Sequence, residues 1–230
     1  MGKSRLFMRV PDMEGMLYQK ALNLTAIFDG TFPVFFYNAA TKEYSTLENW
    51  VPAPYMRRAL TVRAGLKNAT LTVCGLGFYR VFADGQEYTK GIIAPYVSNP
   101  DDFLYYDSYD LTAVLTEGKH AIGFILGNGM LNCVGGQPWG FHNARWRSAP
   151  KVAFALELTY EDGGRETIEA SEQLRCAPSP IIFDDFRGGE WYDATREIEG
   201  WCSPDFDDSA WTSALPAETP RGTCRLCDCE

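Results

Sequence analysis

Residues 188–201, GGEWYDATREIEGW, set four carboxylates, Glu190, Asp193, Glu197 and Glu199, among Trp191, Tyr192 and Trp201. A pair of carboxylates is the minimal kit for breaking a glycosidic bond: one gives a proton while the other acts as base or nucleophile, at roughly 5 to 9 Å across the sugar. If Trp191 to Thr195 is extended, Glu190 and Asp193 project to opposite faces because their separation is odd, whereas Asp193 and Glu197 share one. Sequence neighbours on one strand rarely span a sugar ring, so the spacing argues against an acid and base pair here. Two readings remain. Either Glu190, Asp193 and Arg196 satisfy turns and ion pairs while the aromatic residues pack, or Glu190 and Trp191 touch a sugar.

A second cluster lies in residues 127–146, GNGMLNCVGGQPWGFHNARW. Sugar sites use flat aromatic faces for the apolar side of the ring and amides or carboxylates for its hydroxyls. Asn128, Asn132, Trp139 and His142, with Gln137, Phe141, Asn143 and Trp146, offer both in a glycine-rich loop, and loops on a rigid scaffold are where binding concentrates. The competing reading is a crossover whose aromatics cover the end of a core. In PYVSNPDDF (95–103), Asn99, Asp101 and Asp102 are hard oxygen donors suited to calcium, although two adjacent acids more often mark a solvated turn. CRLCDCE (224–230) has metal-like cysteine spacing but lacks a fourth ligand in a recognisable motif, and seven cysteines, an odd number, read as reduced thiols.

The elements that must position these residues are strands. In KVAFALELTY (151–160), Val152, Phe154, Leu156, Leu158 and Tyr160 recur at period two, which predicts one buried face, and Asp162-Gly163-Gly164 turns the chain into a returning strand. Ala69, Leu71 and Val73 repeat the pattern, as do Tyr79, Val81 and Ala83, with a hairpin turn at Asp84-Gly85. AIGFILG (121–127) is nearly continuous in apolar character and suits a strand covered on both sides. Helical spacing is confined to Met13–Leu24, where one helix is expected, and to a turn capped by Asp110 over 111–115, with Gly118 as its terminator. Short strands separated by Gly, Pro, Asn and Asp predict an all-β fold.

Residues 1–55 form an N-terminal extension and connector, ending in the proline-containing ENWVPAPYMRR (48–58); 56–215 are the main domain; 216–230 have the composition of a linker. With 230 residues, 46% hydrophobic content and a net charge of -9, the chain can bury a core and has no basic block to hold nucleic acid. No signal-peptide-like start or run of about 20 apolar residues is present, so a cytoplasmic protein without a membrane partner is expected. The Gly-x-Ser-x-Gly elbow, the phosphate loop and the His-Glu-x-x-His zinc helix are absent from the sequence.

GLGFYRVFADGQEY (75–88), YDLTAVLTEGKHAIGFILGNGM (109–130), ARWRSAPKVAFALELTYEDG (144–163), GEWYDATREIEGW (189–201) and FDDSAW (206–211) follow one another in the order of a known pattern. Together they resemble the N-terminal region of bacterial alpha-L-rhamnosidases. The resemblance implies a jelly-roll β-sandwich of the galactose-binding-like type, followed in that family by a further β module and a catalytic barrel of paired helices that carries the acid and base. It implies L-rhamnose or a rhamnosyl glycan as ligand and a catalytic domain or chain as partner, with no cofactor other than the calcium considered above. On this reading the chain is an accessory domain without a hydrolytic site of its own. The alternatives are a docking domain without sugar affinity and a fragment of an active rhamnosidase. Asp84-Gly85 stands where family members often have Asn-Gly, and Met130 where many have an aromatic.

Overall fold

The computed structural model describes residues 6–9, 17–20, 36–39, 50–134 and 140–227. Two sheets stack face to face as a jelly-roll β-sandwich. In the first, the strand order is Leu215–Pro216, Tyr37–Asn38, Lys151–Tyr160, Leu66–Leu76, Phe103–Asp110 and Thr223–Leu226, with Arg165–Glu169 also paired to Lys151–Tyr160. In the second it is Thr212–Ser213, Arg175–Pro178, Pro54–Val62, Gly118–Gly127, Phe78–Ala83 and Gln86–Glu87. A separate two-stranded hairpin, Ile181–Asp185 with Gly189–Tyr192, stands at one end.

The period-two residues meet between the sheets. Val152, Phe154, Leu156, Leu158 and Tyr160 join Ala69, Leu71, Val73, Tyr79, Val81 and Ala83 in one buried cluster, where the Phe124 and Phe154 rings lie 5.2 Å apart. The first three alternate residues, Lys151, Ala153 and Ala155, are buried too, whereas Glu157 and Thr159 are only partly so. Ala153 and Ala155 pack with Phe36, Leu76, Leu104 and Leu131 in a second cluster on the outer side of the first sheet. Asp84 and Gly85 both have positive φ, 50° and 84°, as a type I′ turn requires. Asp110 accepts from the Thr112 amide, and Val114 and Leu115 donate back to the Leu111 carbonyl. Gly118 does not terminate that turn but opens the strand Gly118–Gly127.

Two expectations change. Within Met13–Leu24 the described stretch, Leu17–Lys20, is a strand paired antiparallel with Leu6–Arg9; the rest of the window lies outside the described residues. Weak helical spacing loses to a partner strand that satisfies the backbone. The linker-like composition of 216–230 conceals Thr223–Leu226, a strand that runs parallel to Phe103–Asp110, with Cys224 buried beside Leu104. Backbone pairing holds this segment, and that leaves little trace in apolar content.

The outer face of the second sheet is covered by residues 201–211. Trp201 stacks on Tyr55 at 4.4 Å, and the buried Arg57 guanidinium pairs with Asp208 and donates to the Ser203 carbonyl at 2.8 Å. Gly123 makes room for this layer, since a Cβ there would meet Trp201 ring carbons and the Cys202 sulfur at 2.6 Å. Gly123→Ala should therefore destabilise the chain by about 1–3 kcal/mol, the usual cost of overpacking a closed contact. The urea unfolding midpoint measures this, and an unchanged midpoint would mean that the 201–211 layer moves aside freely.

Candidate functional site

Strand Gly118–Gly127 ends at Asn128, which is fully buried. Its side-chain amide donates to the Val51 carbonyl at 2.7 Å and to Asp184 Oδ1 at 2.7 Å, and its backbone amide donates to Asp184 Oδ2 at 2.6 Å. Asn132, also fully buried, donates from Nδ2 to Asn128 Oδ1 at 2.8 Å. Burial pushes the Asp184 carboxyl above the ordinary carboxylate range, and the Asn128 donors pull it part of the way back. Next in the chain, Asp185 accepts from Val134, Arg187 and Gly188 amides. The two acids therefore tie the end hairpin to the start of the long loop. Gly77 lies beside them with φ 92°, and a Cβ there would come within 2.1 Å of the Gly127 carbonyl, so only glycine allows the two strand ends to approach.

On one side of this junction opens a cleft of 590 Å³. Its aromatic lining consists of Tyr96, Phe103, Tyr105, Phe141 and Trp146, together with Phe78, and Ser98 and Asn99 supply polar edges. Phe103 and Tyr105 meet edge to face at 5.2 Å, and the Arg225 guanidinium lies 4.6 Å from the Phe103 ring centre. Phe141 is carried by the short 3-10 turn Phe141–Asn143. Tyr96, Phe103 and Tyr105 escaped the motif reading, although the last two show the i, i+2 spacing of neighbours on one strand face.

The residues singled out from the sequence do not converge on one point. Asn128 and Asn132 are interior, bonded to protein rather than turned to solvent. Trp139 lies outside the described residues. His142 is half-buried beside the cleft, its Nε2 accepting from Asn143 Nδ2 at 3.2 Å, while its neighbour Phe141 provides the lining. Glu190 borders a different groove. Trp191, half exposed, meets Trp50 edge-on at 5.3 Å and lies tilted against Phe183 at 4.8 Å. Asn99, Asp101 and Asp102 form a closed turn: Asn99 Oδ1 accepts from the Asp101 amide, Asn99 Nδ2 donates to Asp102 at 2.8 Å, and Arg145 approaches Asp101 at 3.8 Å. Asn99 Oδ1 and one Asp102 oxygen thus accept bonds from within the turn, and no group of three or more His, Cys, Asp or Glu suited to a metal occurs among the described residues.

Two of the acids of 188–201, Asp193 and Glu197, are likewise engaged locally. Asp193 accepts from the Thr195 amide and hydroxyl, which hold its carboxyl below the ordinary range, and from Arg196 Nε. Glu197 accepts from the Tyr192 hydroxyl at 2.6 Å, a bond that leads the causes raising that phenol to about 12.

Comparison with known proteins places this geometry among relatives. Residues 64–230 match the family described as the alpha-L-rhamnosidase N-terminal domain. An alpha-L-rhamnosidase of Formosa agariphila is 34% identical over 170 residues, which are 69% of this chain and 17% of that enzyme. One from Streptomyces avermitilis is 30% identical over 66% of this chain and 15% of its own length. Among solved structures, the alpha-L-rhamnosidase from Dictyoglumus thermophilum superposes with a TM-score of 0.76 at 26% identity, covering 92% of this chain and 24% of that one. The Streptomyces avermitilis enzyme complexed with L-rhamnose gives 0.69 at 28% identity, covering 75% and 17%. The chain thus spans about a fifth of the length of the relatives it matches.

Asp184→Ala should cost about 2–4 kcal/mol, because several buried donors lose their acceptor together. Burial also sets the sign of a pH effect. The folded carboxyl titrates above 3.8, so between that value and its folded pKa the folded chain holds a proton that the unfolded chain releases, and the residue's contribution falls as pH rises. Urea midpoints measured over about pH 3.5 to 7 should show this slope flattened in Asp184→Asn; an identical slope would assign the effect to other carboxyls.

Proposed function

Because the chain belongs to the alpha-L-rhamnosidase N-terminal domain family, we propose that it is the accessory sugar-recognition domain of a longer alpha-L-rhamnosidase. It holds L-rhamnose or a rhamnosyl-bearing glycan while the bond is broken elsewhere in the enzyme. The observation that carries this reading is the aromatic cleft between the 95–100 and 140–146 loops.

L-Rhamnose is a 6-deoxy sugar, with a methyl group where a hexose such as mannose has a hydroxymethyl. Its ring presents C–H groups on one side and hydroxyls on the other, a pattern matched by aromatic faces with a few amides or hydroxyls at the edge. Trp146, Phe141, Tyr105 and Tyr96 supply the faces, and Ser98 and the backbone of the 95–100 loop supply hydrogen-bonding edges. The volume suits a monosaccharide with room for a second residue. That cleavage happens elsewhere is supported by Asp193, both of whose oxygens accept bonds within its own turn, and by Glu197, one oxygen of which holds the Tyr192 hydroxyl.

Titrating L-rhamnose into the purified chain, followed by heat and by tryptophan fluorescence, should give a dissociation constant on the order of 1 mM, about -4 kcal/mol. Trp146→Ala should weaken it about tenfold, near 1.4 kcal/mol, while Trp191→Ala leaves it unchanged. Repeating the titration with calcium and with chelator tests the turn at Asn99, Asp101 and Asp102, where a calcium-dependent response would add a metal to the site. No response at tens of millimolar sugar would sink the reading.

A further inference from the structure

A second groove, of 360 Å³, opens on the other side of Phe78. Its floor is aliphatic, formed by Ile125, Leu126, Ile181 and Ala94. Its walls carry exposed apolar groups: Ile92 is 100% exposed, Ile93 52% and Phe186 41%. Tyr96 and Val97 continue the apolar surface along the same loop. Clustered exposure of this kind on an otherwise acidic domain marks a surface that is covered in the working protein. Aliphatic side chains make up most of the apolar lining here, whereas aromatic rings dominate the first cleft, so the two differ in what they suit.

The rim has a definite charge. Asp184 and Asp185 spend their oxygens on internal amides, leaving Glu190 exposed at the edge. The neighbouring Arg80 is committed to Glu87 through Nε at 2.9 Å and a second guanidinium contact. A fitting partner therefore presents an aliphatic or aromatic anchor next to a lysine or arginine. The matched segment is only 17% of the Formosa agariphila enzyme, so most of such an enzyme lies outside this domain and is available to cover the groove.

The geometry points to the groove bounded by Ile92, Ile93, Phe186 and Glu190 as the seat on which the remaining part of an alpha-L-rhamnosidase docks. This rests on the reading of the chain as a domain of a longer rhamnosidase and is independent of whether the cleft binds sugar. Ile92 and Phe186 act as the anchors, and Glu190 sets the register through a basic partner residue.

The test titrates the purified 230-residue chain into the Formosa agariphila enzyme produced without its matching 170 residues. The expected dissociation constant is micromolar, about -8 kcal/mol. The double variant Ile92→Asp/Phe186→Asp should weaken it at least thirtyfold, without moving the unfolding midpoint of the isolated chain or its response to L-rhamnose. The intact enzyme, whose own domain fills the seat, should not bind. If the shortened enzyme does not fold, this chain is substituted for the matching segment of the full enzyme. The double variant should then split one thermal transition into two. Binding that ignores both substitutions, a folded shortened enzyme that does not bind, a single transition retained in the substituted enzyme, or self-association of the chain abolished by the double variant would each overturn the proposal. The last outcome would make a second copy the occupant. Loss of the rhamnose response alone would count against the sugar site and not against docking.

Discussion

The carboxylate of Asp184 is the constraint on which the functional end of this sandwich depends. Strand Gly118–Gly127 leaves the core at Asn128, the chain approaches from Val51, and the Ile181–Asp185 hairpin crosses both. Three backbones meeting away from water bring polar groups that must all find partners, and each one left unsatisfied costs on the order of 1–3 kcal/mol. One carboxylate and two asparagine amides solve this locally. Desolvation of this half-buried acid opposes its ionisation and raises its pKa, and the Asn128 and Gly129 donors offset part of that cost. The resulting rigid junction fixes the roots of the long loop and the hairpin, and the two grooves open on either side of it.

This account also explains why so many acids at one end of the molecule need not imply hydrolysis. Asp184 and Asp185 serve backbone amides, Asp193 begins a 3-10 turn, and Glu197 holds the Tyr192 hydroxyl. The aromatic residues divide in a similar way. Trp201 and Trp211 stack over Tyr55 on the outside of the second sheet, whereas Tyr96, Tyr105, Phe141 and Trp146 line open space.

Much of the scaffold was legible from residue order, because strand alternation is a direct consequence of side chains pointing to opposite faces. The Lys151–Tyr160 core face, the Asp84-Gly85 turn and the all-β class follow from it. The polar residues of the site were less legible. Asn128 and Asn132 sit in a glycine-rich loop with the composition of a ligand site, yet the Asn128 amide faces a carbonyl and a carboxylate that arrive from residues 51 and 184, and the Asn132 amide faces Asn128 itself. Local sequence holds no record of such distant partners. Thr223–Leu226 was hidden for a related reason, since its place is set by pairing with Phe103–Asp110 across more than a hundred residues. Of the cleft aromatics, Phe141 and Trp146 stood out in their loop, while Phe103 and Tyr105 needed the strand to be known first.

The central claim is that the aromatic cleft, and not the carboxylate-rich stretch that first suggests chemistry, is the sugar-facing surface. Two-dimensional NMR of the isotopically labelled chain during addition of L-rhamnose tests it most directly. The account predicts shifts in the Trp146 indole N–H and in the amides of 96–99 and 140–146, with the amides of 189–193 and the Trp191 indole unmoved. Shifts centred on Glu190 and Trp191, with the cleft silent, would contradict it.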